Sequence, residues 1–217
     1  MIHIFSKIPL HNSFTMPKSQ PYQPLFLRLS HALTTFLVLG AFITGFLVYD
    51  SYDRRFGGLE LTEEKYSLID IHGSFGFFLL FVYFVFVVYS LIAQRKKLIQ
   101  GNTLQTLTKI NKPVWWYTLL RISNTLALIA VGLSVISGKF QEEEWLTNGE
   151  LNHLWYFVHL IAWVIILFSI LLHVLMVAKV GGVPLIVSMF NIHYKPQDHP
   201  KLWLRNIQNW FNQFLDK

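Results

Sequence analysis

Four histidines lie within strongly apolar stretches of the chain: His31, His72, His159 and His173. A neutral imidazole offers a ring nitrogen to a metal at physiological pH, which makes it the commonest protein ligand to metals. His159 and His173 share one apolar segment and stand 14 residues apart. That is about 3.9 helical turns, so both rings leave nearly the same face, roughly 21 Å apart along the axis. His31 and His72 lie on two other segments, one toward each end of a bilayer. Two rings on one helix, each facing a ring from a different helix, form two stacked bis-histidine sites. This arrangement suits two b haems, one above the other across a membrane.

The competing donors are weaker. His153 lies 20 residues before His173, about 200° around the helix and at head-group level, so it is not taken as a ligand. His3, His11, His193 and His199 fall outside the apolar stretches and read as solvated or interfacial residues. The chain has no cysteine, which excludes thiolate metal sites, iron–sulfur clusters and covalently attached haem within it. The apolar stretches lack Asp, Glu, Lys and Arg near their centres. That argues against a proton pump or ion transporter and leaves any non-haem iron site all-histidine, which is unusual.

The elements that must carry these rings are membrane helices. Of the 217 residues 53% are hydrophobic and only 14% charged, and the mean hydropathy is +0.42. Four segments, at about 25–49, 69–93, 117–137 and 151–178, meet the roughly 20 residues needed to cross a hydrocarbon core. The short alternating runs of a barrel are missing, so the fold expected is all-α, an integral membrane four-helix bundle. Residues 1–24, interrupted by prolines and polar residues, read as a loose cytoplasmic arm rather than a cleaved signal. Residues 25–195 form one di-haem membrane domain. Residues 196–217 form a tail in which Trp203, Leu204, Ile207, Trp210, Phe211, Phe214 and Leu215 recur at helical spacing. The tail is expected to be a C-terminal interfacial amphipathic helix.

The formal net charge of +6 is distributed by loop and does not mark a nucleic-acid face. The loop after the second span carries Arg95, Lys96, Lys97, Lys109 and Lys112 without an acid; the loop after the third carries Glu142, Glu143, Glu144 and Glu150 against Lys139. Basic and acidic loops alternate, which sets the orientation and provides contacts for anionic lipid. Both termini are expected on the cytoplasmic side of a bacterial inner membrane, or on the stromal side of a thylakoid.

Neighbours of the four rings extend the candidate site. Arg28, one turn before His31, and Arg121, near the start of the third span, could each pair with a haem propionate. Gly76, one turn after His72, is the leading candidate for close approach of a flat ring. Gly40, Gly45, Gly73 and Gly132 read first as helix-packing positions. After the fourth span, Gly181, Gly182 and Pro184 break the helix. Val183, Leu185, Ile186 and Met189 follow, and could line a quinone groove, with His193 as a possible proton acceptor.

The ordered set of one histidine on the first span, one on the second, none on the third and two on the fourth resembles the bacterial di-haem cytochrome b561 family. It is also similar to the related b-type cytochrome subunits of nickel–iron hydrogenases and formate dehydrogenases. The strings that carry the likeness are RLSH at 28–31, HGSFG at 72–76 and the His159–His173 pair. The resemblance covers about residues 25–195. It implies a haem between His31 and His173 toward the cytoplasm, a second between His72 and His159 toward the outside, and electron exchange with quinone.

Three classes of function remain at this stage. The favoured one is a membrane di-haem cytochrome b that carries electrons between a quinone pool and a redox partner, either an enzyme subunit or an electron-carrier protein. The second is a stand-alone quinol-linked reductase of an external acceptor such as superoxide or ferric iron. The third is a haem-free membrane scaffold or transporter. The charge asymmetry gives a direct prediction: 14 Lys and Arg lie on the expected inner side against 4 outside. A reporter fused to either terminus should therefore resist externally added protease in intact cells. Cleavage at one end alone would contradict a count of four spans.

Overall fold

The computed structural model describes residues 21–61 and 66–203, together with Arg205 and Gln208. Four long helices dominate: α1 (Leu25–Tyr52), α2 (Tyr66–Ala93), α4 (Pro113–Lys139) and α6 (Leu154–Ser188). Two single-turn helices, α3 (Thr103–Leu107) and α5 (Glu143–Thr147), lie in the loops, and no strand occurs among the described residues. Each long helix has at least 27 residues, about 40 Å of rise, more than the hydrocarbon core requires. All four are apolar enough along their length to cross a membrane. Large apolar side chains cover the outside of the bundle: Phe36, Phe84 and Phe168 are 64%, 67% and 65% exposed. In water such a surface would aggregate, whereas against lipid it is the stable arrangement. The protein is an integral membrane protein.

Hydroxyl groups inside these helices mostly bond back to the preceding turn, which removes their desolvation cost in an apolar medium. Ser30 Oγ donates to Phe26 O at 2.7 Å, Thr44 Oγ1 to Gly40 O at 2.7 Å and Ser137 Oγ to Leu133 O at 2.6 Å. Proline stands where its missing N–H costs nothing. Pro24 precedes α1, and Pro113 opens α4.

The helices differ from the sequence-derived spans mainly at their ends. Helix α2 starts at Tyr66, three residues early, so His72 lies almost two turns inside it instead of near its start. Helix α6 begins three residues later than expected and continues to Ser188. The expected break does occur, but in one residue: Gly182 has φ 62° and ψ −164°. Helix resumes immediately, with Pro184 in its first turn, where it displaces no hydrogen bond.

Helix α1 packs along α2, and α4 along α6, as two hairpins whose backbones come close to each other chiefly between α2 and α4. Elsewhere the hairpins meet through side chains. The shared core is a thin layer of Leu37, Val38, Leu79, Ala130, Val131 and Ile166. Beside it Trp163 of α6 stacks on Phe42 of α1, with centroids 4.4 Å apart and planes 8° from parallel, and its Nε1 donates to Phe42 O at 3.2 Å.

Polar ties close both ends of the α1–α6 side. At the acidic end Tyr156 Oη donates to Asp53 Oδ2 at 2.8 Å, and Arg55 bridges Asp53 to Asn152 Oδ1 and Leu151 O. At the basic end the segment after α6 folds back over the start of α1. Asp198 Oδ2 accepts from Tyr22 Oη at 2.6 Å and from the amide of Leu25, and Arg28 Nη2 donates to His193 O at 2.8 Å. Lys97 Nζ donates to Gln23 Oε1 at 2.8 Å. Tyr22 and Gln23, the described end of the expected loose arm, are thus anchored. Most of that arm and of the amphipathic tail lies outside the described residues.

Asp198 supplies the side-chain cap that Pro24 cannot give to α1. The Asp198→Ala substitution should cost about 1 kcal/mol, seen as a lower midpoint of thermal unfolding in detergent. An unchanged midpoint would show that the returning segment does not hold the end of α1.

Candidate functional site

The four histidines come together in two pairs at two levels of the bundle. At the basic end His31 of α1 faces His173 of α6, with ring centroids 6.2 Å apart and planes at 35°. At the acidic end His72 of α2 faces His159 of α6, with centroids 6.0 Å apart and planes at 87°. Two imidazoles bound to one metal at about 2 Å each have centroids roughly 6 Å apart. Both pairs are therefore spaced for one atom held between them.

Each ring is held by its Nδ1 edge. His159 Nδ1 lies 3.0 Å from Ser134 O and 3.0 Å from Ser137 Oγ. A carbonyl can only accept, so Nδ1 carries the proton and Nε2 the lone pair. His72 Nδ1 is 3.2 Å from Thr44 Oγ1, whose own proton goes to Gly40 O, so the ring again donates. His173 Nδ1 is 2.8 Å from Asn124 Oδ1. His31 Nδ1 meets Thr35 Oγ1 at 3.4 Å, a long contact within one turn. Metal-bound histidine shows this pattern: the distal ring N–H is engaged, which fixes the tautomer and aims the other nitrogen.

The donor set also says what kind of metal site would fit. No group of three or more His, Asp or Glu side chains converges among the described residues. Two neutral imidazoles per level are too few for a bare ion, but they complete an iron whose other four positions are filled by a porphyrin. A small cavity of about 30 Å³ lies beside the acidic-end pair, lined among others by Ala41, Phe42, His72, Ser134, His159 and Trp163. Buried polar atoms without partners flank the basic-end pair: Thr34 Oγ1 one turn from His31, Ser169 Oγ one turn from His173, and Arg28 Nε. Haem fits the residues present.

The other sequence candidates fall as follows. Arg28 is only 4% exposed and spends one nitrogen on His193 O while Nε stays free, next to His31 on its helix. Arg121 is half-buried one turn before Asn124. A Cβ added to Gly76 would meet nothing within 4 Å, so Gly76 borders open space and not protein. The glycines that make room for the rings are others. A Cβ on Gly45 would come within 2.9 Å of His72 Cε1, and one on Gly138 within 3.3 Å of His159 Cε1. His153 lies flat on Trp145, with centroids 3.7 Å apart. His193 is exposed and bonded within its own loop to Asn191 Oδ1.

Sequence reasoning did not single out Thr44, Ser134, Ser137, Gly138 or Asn124 as supports for the rings. One signal could have found several of them. Each helix contributes to both levels with the same 14-residue step: His31 and Gly45 on α1, Asn124 and Gly138 on α4, and His159 and His173 on α6. On α2 the step runs from His72 to Phe86, whose ring packs edge-on to His31 at 6.0 Å.

Outside the spans, the Lys97 backbone carbonyl takes the other side of the Asn124 amide at 2.9 Å.

No curated protein and no solved structure matches the chain. The family described as prokaryotic cytochrome b561 matches residues 22–191, which takes in all four long helices and every residue of both histidine levels. The chain belongs to the prokaryotic cytochrome b561 family, and is a membrane b-type cytochrome of electron transfer.

Proposed function

We propose that this cytochrome holds two b haems, one between His31 and His173 and one between His72 and His159, and passes electrons across the bilayer between the quinone pool and a redox partner. The observation that carries the reading is the pair of facing imidazoles at each of two levels, 14 residues apart on α6 and spaced so that one atom could be held between them. Haem held by a pair of these histidines would supply single-electron transfer and would leave no position for oxygen or substrate. The chain's residues then have three tasks. The imidazoles hold and orient the haems, their Nδ1 partners fix the tautomer, and the apolar helices keep water and charge away from both levels. Membership in a cytochrome family sets the haem-free alternative aside.

In this reading the basic end faces the cytoplasm, as its uncompensated Lys and Arg favour. The quinone site lies at the break in α6. Gly182 stands nine residues beyond His173, roughly 14 Å along the axis, and Val183 beside it is 70% exposed. Residues 25–195 act as the electron-transfer domain, with the termini as accessory segments.

The ligand set has a direct test. His31→Ala and His173→Ala should each abolish the same haem, and His72→Ala and His159→Ala the other, by pyridine haemochrome quantitation and redox titration. Loss of a haem in His153→Ala but not in His159→Ala would overturn the assignment. Gly45→Val should act like a weaker His72 variant, with reduced occupancy of that haem alone, because the added side chain meets the ring.

The quinone part is tested separately. A short-chain quinol should reduce the haems of purified protein, or quinone reoxidise them, within a stopped-flow experiment. Absence of exchange with both benzoquinone and naphthoquinone analogues would remove quinone from the function and leave the haem sites standing.

A further inference from the structure

The two rings on α6 are held by different kinds of atom. His159 Nδ1 bonds to a backbone carbonyl, Ser134 O, with Ser137 Oγ beside it. His173 Nδ1 bonds to a side-chain oxygen, Asn124 Oδ1, at 2.8 Å. An amide can present either end to a ring, so its orientation must come from elsewhere. It comes from the loop after α2: Asn124 Nδ2 donates to Lys97 O at 2.9 Å. A carbonyl accepts only, so the NH2 group must face Lys97 and the oxygen must face His173. The imidazole is then compelled to donate from Nδ1 and to aim its lone pair from Nε2.

The carbonyl that orients the amide is itself fixed. Lys97 ends a 3-10 turn, Arg95–Lys97, closed by Lys97 N to Gln94 O at 2.8 Å and Leu98 N to Arg95 O at 3.1 Å. Two residues on, Ile99 N donates to Thr125 Oγ1 at 3.0 Å, next in sequence to Asn124. The turn is pinned to α4 at two adjacent positions, so the chain Lys97 O, Asn124 amide, His173 ring is geometrically determined. His31 has only the long contact to Thr35 within its own helix. Any tuning by hydrogen bonding at this level therefore acts mainly through His173.

We propose that Asn124 is a positioning residue that sets the donor strength of His173, and through it the reduction potential of the basic-end haem. The inference rests on the reading of His173 as a haem ligand. An N–H···O bond from the distal ring nitrogen places partial negative charge on the imidazole, which strengthens its donation and favours the oxidised metal. A neutral amide oxygen gives an intermediate effect. Removing the acceptor weakens it, and an ionised carboxylate in the same place strengthens it.

The experiment is a spectroelectrochemical titration of the full-length protein with both haems bound, run on Asn124→Leu, Asn124→Ser and Asn124→Asp. Asn124→Leu keeps the side-chain volume and removes the acceptor. It should shift the redox equilibrium of one haem about tenfold toward the reduced form, which is about 59 mV for one electron, and leave the other haem unmoved. Asn124→Asp, titrated at pH 8, should shift the same haem in the opposite direction. The low-spin electron paramagnetic resonance signal of that haem should move in both variants, a change that loose packing without a change in the ring's bond would not produce in opposite senses. Asn124→Ser keeps the measurement possible if the leucine variant fails to assemble; its shorter hydroxyl should give a smaller shift in the leucine direction.

His173→Ala separates the two ways of being wrong. If His173→Ala retains two haems, the ligand assignment falls and this inference with it. If it loses one haem while the Asn124 variants leave both potentials in place, the assignment stands and Asn124 is only a packing residue.

Discussion

The 14-residue step on α6 is the constraint on which the rest of the bundle depends. An α-helix returns to nearly the same face after 14 residues, having risen roughly 21 Å. Once His159 and His173 are fixed on one face, the partners must come from other helices at two levels separated by that rise. Helix α1 supplies His31 at one level and must clear space at the other, which it does with Gly45 against His72. Helix α4 carries no histidine at either level. It supplies hydrogen-bond acceptors instead, Asn124 at one and Ser134 O and Ser137 Oγ at the other. The third span, without histidine, thus divides the labour: α1, α2 and α6 carry the four rings, and α4 supplies the acceptors for the two on α6.

The same constraint explains why the bundle is tied at its ends. Close backbone packing runs within the α1–α2 and α4–α6 hairpins, and α1 reaches α6 chiefly through side chains. At both levels facing imidazoles about 6 Å apart stand where close apolar packing would otherwise hold the hairpins together. Stability must then come from the middle and from the rims. The middle has the Trp163–Phe42 stack and the thin apolar core. The rims have the Asp53–Arg55–Tyr156 group at one end and Asp198 with Tyr22 and Leu25 at the other. Haem binding to such a chain adds its own stabilisation to the folded state by mass action.

Much of this was legible in the sequence for simple physical reasons. Long apolar runs can only be helices in lipid, and an imidazole at depth is costly enough to demand a purpose. Those two facts give the four spans and the four rings. Other parts were not legible. Asn124, Thr44 and Ser137 belong to residue types that usually bond to their own helix, and sequence alone does not tell a ring partner from such a back-bond; Thr44 and Ser137 do both. The glycine that touches the His72 ring, Gly45, comes from a different helix and has no sequence neighbour to announce it. Gly-Gly-Val-Pro after the fourth span is the usual grammar of a helix stop, and the break is there but does not end the helix. Here Gly182 alone takes up the change of direction, with φ in the left-handed region, and the proline falls where a helix can begin again.

The choice of partners at the two levels follows from the medium. A carboxylate bonded to each ring would orient it more strongly, and soluble metal sites often use one. In hydrocarbon that carboxylate would have to be kept ionised without water, at a cost of several kcal/mol per ion even after relaxation. Carbonyl, amide and hydroxyl oxygens do the orienting work without a buried charge, and they are the acceptors found at all four rings. The ionised groups are kept to the ends: Asp50 is spent on the amides of Glu60 and Leu61 in its own loop, Asp53 on Arg55 and Tyr156, and Arg28 on a backbone carbonyl. A neutral interior between charged rims keeps fixed charge away from both histidine levels, and leaves uncharged acceptors such as Asn124 Oδ1 and Ser134 O as the polar partners of the rings.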